Sequence, residues 1–454
     1  MKLSDDHDRV AVIGGGMAGI ATAYFLQRAG LRPEVFEAQP ALGGRCAVTT
    51  LDGREITYGG KNIGKTYRMF REFTEAMGDH PYEYFGINSS RVENGTLRTF
   101  DSSRKLRGFA DVIARAPKRD IMRFGRIVAA VRLNESRRYL GSRYAERRTR
   151  RGDRVLTERF GAQFCDATLR SLTIRPNGAE PDELYVGTLN ANVGMVLDSY
   201  DQLSNGFGPV LESFAATHDV HLETRVLSLL VEDDRITGIR TQTRGQPPED
   251  RRYGAVVIAT PAFVAAELIR PHRPTLAEWL DDVRYFPGAV VVAHYARDIF
   301  TEQVRALVFG KEEPVSNAGV YGVNDRDFVR YTFSGRTARR LLARGADGEE
   351  LLTQGEACLD RYIPVSAEDR LGYVSRRWDH AYCAHLSDHP AFLRTVDEHV
   401  GSLPGLLLAG DYLRGVSIES CFRSGYDAAQ RLIPTPPGAD VSTNRRRTLG
   451  AAAK

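Results

Sequence analysis

Long apolar runs are missing from this chain. No stretch reaches the roughly 18 residues that a membrane-spanning helix needs, so no integral membrane segment is expected. Cysteine is sparse: Cys46, Cys165, Cys358, Cys383 and Cys421 stand far apart, with no C-x-x-C pair and no histidine at a zinc-finger spacing. That excludes a disulfide framework and a structural zinc module, and leaves free thiols as the expectation. An excess of one charge is also lacking. With 62 basic against 58 acidic residues the net charge is only +4, which argues against a nucleic-acid binder. The opening residues MKLSDDHDR are polar and acidic, without the basic and then apolar pattern of a signal peptide. A cytoplasmic location is expected.

What is present is a globular composition, 42% hydrophobic and 26% charged, over 454 residues, enough for two or three domains. The positive charge is local. Between Arg132 and Arg159 stand ten arginines against Glu135, Glu146, Asp153 and Glu158. Such a run is either a solvated helical face or a dock for an anionic partner, such as an acidic carrier protein or a phosphorylated substrate.

The most informative stretch is Val10 to Glu37. Val10–Ile13 has the pattern of a buried parallel strand and runs into Gly14-Gly15-Gly16-Met17-Ala18-Gly19, then an alanine- and leucine-rich helical segment. A second apolar strand, Pro33 to Phe36, ends on Glu37. In this G-x-G-x-x-G, Gly14 makes the tight turn, Gly16 admits a pyrophosphate to the backbone, and Gly19 allows close helix–strand packing. The free N–H groups of Met17, Ala18 and Gly19 and the helix dipole then face the phosphates. Glu37 is placed to accept hydrogen bonds from an adenosine ribose. A dinucleotide is expected here.

Two further glycine loops follow. Ala41-Leu42-Gly43-Gly44-Arg45 brings a backbone pair close to the cofactor, with Arg45 as a charge-assisted donor to its pyrophosphate. Ile56-Thr57-Tyr58-Gly59-Gly60-Lys61-Asn62-Ile63-Gly64 adds a second pair, for which a simple NAD dehydrogenase has no use. Farther on come four alternating or apolar strands between His221 and Ala259, broken near Val226 to Val231 and turning at Asp233-Asp234, then Thr260-Pro261-Ala262. Near the end, Leu406–Ala409 leads through Gly410-Asp411 to a helix starting near Ser417-Ile418-Glu419 and carrying Ser424-Gly425.

Taken together, G-x-G-x-x-G, the acid, G-G-R, the second glycine pair, A-T-P and the closing A-G-D…S-G-x-x-A-A resemble the FAD-binding half of the flavin amine oxidase superfamily. That group includes monoamine and amino-acid oxidases, protoporphyrinogen oxidase and phytoene-desaturase-type enzymes. The resemblance implies an α/β fold, a Rossmann-type FAD-binding domain with an interleaved α+β substrate domain. The FAD domain is expected from residues 1–75, 201–272 and 393–434, the substrate domain from 76–200 and 273–392, and a flexible tail from 435–454. It also implies that Gly59, Gly60, Lys61 and Asn62 pass beside the isoalloxazine ring and that the Val226 backbone contacts the adenine. Thr260 closes the cofactor unit. Asp411 would bind ribityl or pyrophosphate oxygens, and Ser417 and Ile418 would aim a helix N-terminus at the electron-rich edge of the ring.

Departures from the family pattern narrow the chemistry. True amine oxidases usually carry a lysine on the strand after A-T-P. Phe286-Pro287-Gly288-Ala289-Val290-Val291-Val292 has none, and looks more like the protoporphyrinogen-oxidase and desaturase branch. Tyr382 replaces the proline of the family's R-W-x-x-A-x-P element, and Cys421 reads as a packed thiol rather than a flavin tether. Lys61 is either a polar group at the reactive edge of the ring or an ordinary surface lysine. Arg326, Tyr321, Tyr331, Trp378 and Tyr382 are the other candidates for a substrate cavity. The leading expectation is an FAD-dependent oxidase or dehydrogenase that forms C=N or C=C in a small natural-product-type substrate, free or carrier-bound. A carotenoid- or porphyrin-type desaturase and a non-redox flavin-dependent isomerase are the alternatives, and a homodimer is an open possibility.

Overall fold

The computed structural model describes residues 8–86, 89–93, 96–100, 116–150 and 152–433. Its first sheet has five strands, all parallel, in the spatial order Asp219–His221, Arg32–Phe36, Arg9–Ile13, Ala255–Ile258 and Leu406–Leu408. The apolar sequences of these strands match a sheet covered on both faces. Helices Met17–Arg28 and Ile418–Leu432 lie against each other on this sheet. Their contact is close because Gly425 has no side chain: a Cβ there would stand 2.7 Å from both the Ala18 carbonyl oxygen and the Thr22 nitrogen.

The second large sheet is mixed. Its seven strands run in the order Arg370–Cys383, Tyr285–Tyr295, Phe328–Phe333, Asn317–Val320, Ala306–Val308, Ser89–Glu93 and Thr96–Phe100. One face of it packs on a core of its own, with Tyr295, Tyr331 and Phe333 fully buried among Leu341, Leu352 and Leu359. The opposite face carries Val290, Val292 and Phe328, joined by Leu51, Ile56 and Tyr321. Helices between Lys118 and Val196 form a third core around Phe160, Phe164 and Leu169. The first sheet thus draws its strands from both ends and the middle of the chain, and the second from the segments between. That is the α/β architecture expected, a Rossmann-type unit beside an α+β unit.

Several local expectations need correction. The break placed between Val226 and Val231 is absent: Thr224–Glu232 is one strand, with register shifts at Val226/Ser228 and Leu230/Val231 that a β-bulge absorbs. The turn at Asp233-Asp234 is present, both residues at positive φ. Glu249–Arg252 is an additional strand whose sequence, Glu-Asp-Arg-Arg, carries no apolar signal because it is an edge strand paired only to Arg235–Thr243. The segment Ala162–Asn177 is made of short helices, one of them a π turn at Cys165–Leu169. A hairpin is formed by the paired strands Ser89–Glu93 and Thr96–Phe100. Its turn residues Asn94 and Gly95 lie outside the described residues, as does the tail 435–454.

Candidate active site

The glycine turn is built as its spacing demands. Gly14 has φ +106°, and a Cβ on it would stand 2.9 Å from the Ala259 carbonyl oxygen. A Cβ on Gly19 would collide with the Gly14 carbonyl oxygen, so helix Met17–Arg28 can approach the strand only with glycine there. Gly16 differs: a Cβ would meet nothing within 4 Å, so open space lies over its backbone. Gly16 caps the helix without any side-chain acceptor, leaving the first helical amides, those of Met17, Ala18 and Gly19, to a ligand. Gly43 bridges to Gly16 and donates its N–H to Gly15 O at 2.8 Å, while exposed Gly44 lies over the same turn. The result is a cradle made of backbone.

Glu37 is buried beside it and accepts from Gly15 N at 2.7 Å and from Gln39 N at 2.8 Å. Each oxygen therefore holds one backbone donor and keeps a lone pair for a ribose hydroxyl. Arg45 and Asp411, expected to serve the cofactor separately, are paired: Arg45 Nη1 donates to Asp411 Oδ2 at 2.8 Å and to Ala381 O at 3.0 Å. Burial works against the guanidinium charge, but the Asp411 carboxylate outweighs it and raises the Arg45 pKa. Tyr285 donates to the other Asp411 oxygen at 2.8 Å. The tyrosine is a partner the sequence reading missed. Its only sequence signal is its position just after A-T-P and the helix that follows. Gly410 is tied by its N–H to Ser424 Oγ at 2.9 Å. Ser417 caps the last helix by accepting from Ser420 N at 3.0 Å, with Ile418 the first helical residue. Thr260 and Val226 are half-buried, Thr260 two residues past the strand Ala255–Ile258 and Val226 near the start of Thr224–Glu232.

Beyond the cradle stand several polar and aromatic side chains that are only partly covered. Arg45, Cys421, Tyr382, Arg330, Arg175 and Tyr200 all sit where burial dominates their titration, yet each keeps surface that protein does not cover. A solvent-accessible interior of that kind fits an elongated dinucleotide with a ring system at its inner end. The backbone cradle, the free helix amides and the Arg45–Asp411 pair fit its phosphate and sugar chemistry. Cys421 stays a protonated thiol, its pKa raised by burial and by Asp411.

Lys61 is the best-defined polar group at the inner end. Its Nζ donates to Gln202 Oε1 at 2.7 Å and stands 4.0 Å from the Phe85 ring centroid and 4.6 Å from that of Tyr321. Burial and the nearby Arg330 charge push its pKa well below the ordinary lysine value. It borders a cavity of about 20 Å³ lined also by Thr57, Gln202, Phe207 and Tyr321, room for about one water. Gly59 packs over Arg45 and Cys46, Gly60 is exposed, and Asn62 is half-buried. Tyr58 and Trp378 meet edge to face at 6.3 Å. Tyr382 is half-buried and wedged against Gly178 and Gly288, where a Cβ would meet its ring. Tyr321 accepts the Thr57 N–H on its hydroxyl at 2.6 Å.

Two expected cavity residues are elsewhere. Arg326 lies in a surface turn and pairs with Asp298 at 2.8 Å. The arginine that reaches the cleft is Arg330, four positions on, whose guanidinium donates to Thr57 O at 3.0 Å and to Tyr58 O. Tyr331 points to the other side of the strand, fully buried and bonded to Tyr295 at 2.9 Å, as strand alternation requires. The signal available for Arg330 was a lone arginine inside the apolar strand Phe328–Phe333. Arg175, in the helix Arg170–Asn177, carried no signal at all.

Comparison with known proteins decides the class. The profile of the flavin-containing amine oxidoreductases matches residues 17–433. The chain belongs to that family. It is a flavin-dependent oxidoreductase, and its cofactor is FAD. Mitochondrial protoporphyrinogen oxidase of Nicotiana tabacum is 22% identical over 97% of this chain and 97% of its own. Putrescine oxidase bound to putrescine superposes with a TM-score of 0.73 at 16% identity, covering 94% of this chain and 98% of that one. A putative protoporphyrinogen oxidase from Exiguobacterium sp. 255-15 gives a TM-score of 0.69 at 18% identity, over 95% and 99%. These likenesses establish the fold of this family member. Among the described residues no helix is long and apolar enough to cross a membrane.

Proposed function

We propose that this enzyme removes a hydride from a small organic substrate, leaving a C=N or C=C bond, in the inner part of the cleft bounded by Lys61, Arg330, Trp378 and Tyr382. The observation that supports this reading is the buried Lys61 amine, fixed on Gln202 Oε1 at 2.7 Å beside a small cavity and two residues past the Gly59-Gly60 pair. In this reading Gly14, Gly16, Glu37, Gly43, Gly44 and Arg45 hold the dinucleotide end. Val226, Thr260 and Asp411 lie along its length. Gly59, Gly60, Lys61, Asn62, Ser417 and Ile418 surround the ring end. When bound, FAD supplies the two-electron acceptor.

The chain's own residues then have three tasks. Lys61 holds a proton at Nζ, and because its pKa is lowered well below the usual value, it can release or take up that proton near neutral pH more readily than an ordinary lysine. Gln202 fixes the amine by its hydrogen bond of 2.7 Å. Tyr58 and Trp378 exclude water from one side, Tyr382 from the other. The strand Tyr285–Tyr295 carries no lysine, so Lys61, from a different segment, is the amine we assign to the ring. Reoxidation by oxygen or by another acceptor is left open by this geometry.

The test is anaerobic mixing of the holoenzyme with a panel of amines, amino acids and cyclic polyenes, followed by absorbance. Bleaching of the flavin by one class, with peroxide or a reduced acceptor formed on turnover, is the expected result. Turnover that needs pre-reduced flavin and gives no net oxidation would contradict the reading.

A further inference from the structure

The cavity beside Lys61 joins that amine to an acid that the proposed hydride transfer does not use. Lys61 and Glu55 both line it, and its volume of about 20 Å³ is room for about one water. Glu55 stands on the strand Arg54–Thr57 and is half-buried, so it borders both the cavity and solvent. Its carboxylate is seated against a glycine turn. Both oxygens accept from Gly208 N at 3.1 Å, and a Cβ on Gly206 or Gly208 would stand 2.0 Å from one of them. Among the described residues Glu55 has no ion pair, while its neighbour Arg54 turns to Asp325 at 2.8 Å. A second acid, Glu83, is connected to Lys61 through an amide: Gln202 Oε1 accepts from Lys61 Nζ at 2.7 Å, and Gln202 Nε2 donates to Glu83. A proton hops along a chain whose every member both accepts and donates. Water does this at one oxygen, whereas a carboxamide accepts at oxygen, donates at nitrogen and would have to tautomerise.

We propose that Glu55 is the outlet for the proton that Lys61 takes up, linked to it by one water in this cavity. The inference rests on the reading that Lys61 serves the oxidation. In that reaction the substrate gives up a hydride, with its electron pair, and one proton. The neutral Lys61 Nζ takes the proton and becomes an ammonium. It passes a proton to the cavity water, and the water passes one of its own to the Glu55 carboxylate. The carboxylic acid then releases it to solvent, so that amine, water and carboxylate are all restored. Burial lowers the Lys61 pKa and raises that of Glu55, which narrows the gap between the two groups. The charged groups that face the pair are Arg54, Asp325, Arg330, Glu83 and Glu212. Gln202 holds the amine in place, and the Gly206–Gly208 turn holds the carboxylate. Glu55 acts through Lys61 and is a positioning residue for the proton, not a catalytic one.

The experiment mixes holoenzyme anaerobically, in weak buffer, with whichever member of the panel of amines, amino acids and cyclic polyenes bleaches the flavin fastest. Bleaching is followed by absorbance and proton release by a pH indicator in a single turnover. In the parent, release should keep pace with bleaching. In Glu55→Gln, which keeps an acceptor for Gly208 N, release should lag bleaching by about tenfold or more. Glu83→Gln should match the parent. FAD content and melting temperature equal to the parent's in both variants separate a proton effect from a structural one. A second readout needs no turnover. A crystal structure of the resting holoenzyme should show one water in hydrogen-bonding reach of both Lys61 Nζ and a Glu55 oxygen, and this decides the matter if Glu55→Gln does not fold. The proposal is overturned if Glu55→Gln releases its proton in step with bleaching, if Glu83→Gln lags instead, or if no water touches both groups. Failure of the underlying reading looks different: Lys61→Met would bleach at the parental rate, and the proposal would fall with it. Failure of the relay alone leaves Lys61→Met slow and the proton of Glu55→Gln on time.

Discussion

The two ends of the cleft are built from different materials. At the cofactor end the contacts come from main chain: the Gly14–Gly19 turn, the Gly43-Gly44 pair and the free amides of a helix, with open space above Gly16. At the inner end they come from side chains of distant segments, Lys61, Arg330 and Tyr382, each held by neighbours specific to this chain. A backbone cradle recognises a phosphate whatever the rest of the sequence does, whereas a side-chain wall can be rebuilt for each substrate. This difference accounts for a family whose members share a fold at low identity.

Substitution can separate the two ends. The largest effect is expected for Gly19→Ala, whose methyl would collide with the Gly14 carbonyl oxygen. It should destabilise the protein by several kcal/mol, about as much as severe overpacking of a core, and chemical denaturation would measure it. Gly16→Val should behave oppositely. The valine Cβ would meet nothing in the protein within 4 Å, so the apoprotein should melt within about 2 °C of the parent. FAD content should nonetheless fall to a small fraction, because the side chain fills the space that the backbone keeps open. A Gly16→Val protein that retains full FAD would remove the cradle from the account.

Asp411→Ala comes next. It leaves Arg45 without the carboxylate that stabilises its charge, and should cost about 1–2 kcal/mol, less than a fully buried pair because solvent reaches the Arg45 side chain, with Asp411→Asn costing less.

A pH effect of similar size is expected at Glu419, which is fully buried and whose pKa burial raises to about 7. A carboxyl whose folded pKa lies above its unfolded value of 4.5 binds protons more tightly in the folded state. Its stabilising contribution is complete below pH 4.5 and is lost as pH rises to 7. Glu419→Gln should therefore gain stability relative to the parent at pH 8 compared with pH 4.5, by at most about 3 kcal/mol. Melting curves at the two pH values give the difference. Equal curves would show that the bonds from Met69 N, Phe70 N and Arg423 keep the carboxylate ionised. Smallest of all, Arg326→Gln should change stability by less than about 1 kcal/mol and activity not measurably, because its ion pair is exposed.

The same contrast explains what could be read from the sequence. Glycines at fixed spacing, an acid after the second strand and Gly410-Asp411 are visible because each is the only residue type its backbone position or charge tolerates. The parallel sheet was legible for a related reason: its inner stretches, Val10–Ile13, Ala255–Ile258 and Leu406–Leu408, are buried and apolar throughout. The strand Glu249–Arg252 was not, since an edge strand has no reason to be apolar. The inner wall was largely hidden. Arg326 and Arg330 differ by four positions and are chemically the same, and what separates them is that the strand begins at Phe328, leaving Arg326 in the turn before it. Tyr331 was named from its ring, but alternation turns it into the opposite core.

The division of labour between the two ends is tested most directly in Lys61→Met. FAD released per chain and the rate of anaerobic flavin bleaching would be measured on the same samples, with the best substrate of the panel. The account expects FAD content equal to that of the parent and bleaching slowed about a hundredfold, the lower end of the range for loss of a proton-transferring side chain. Bleaching at the parental rate would place Lys61 outside the chemistry, and loss of FAD would show that the inner wall holds the cofactor as much as the cradle does.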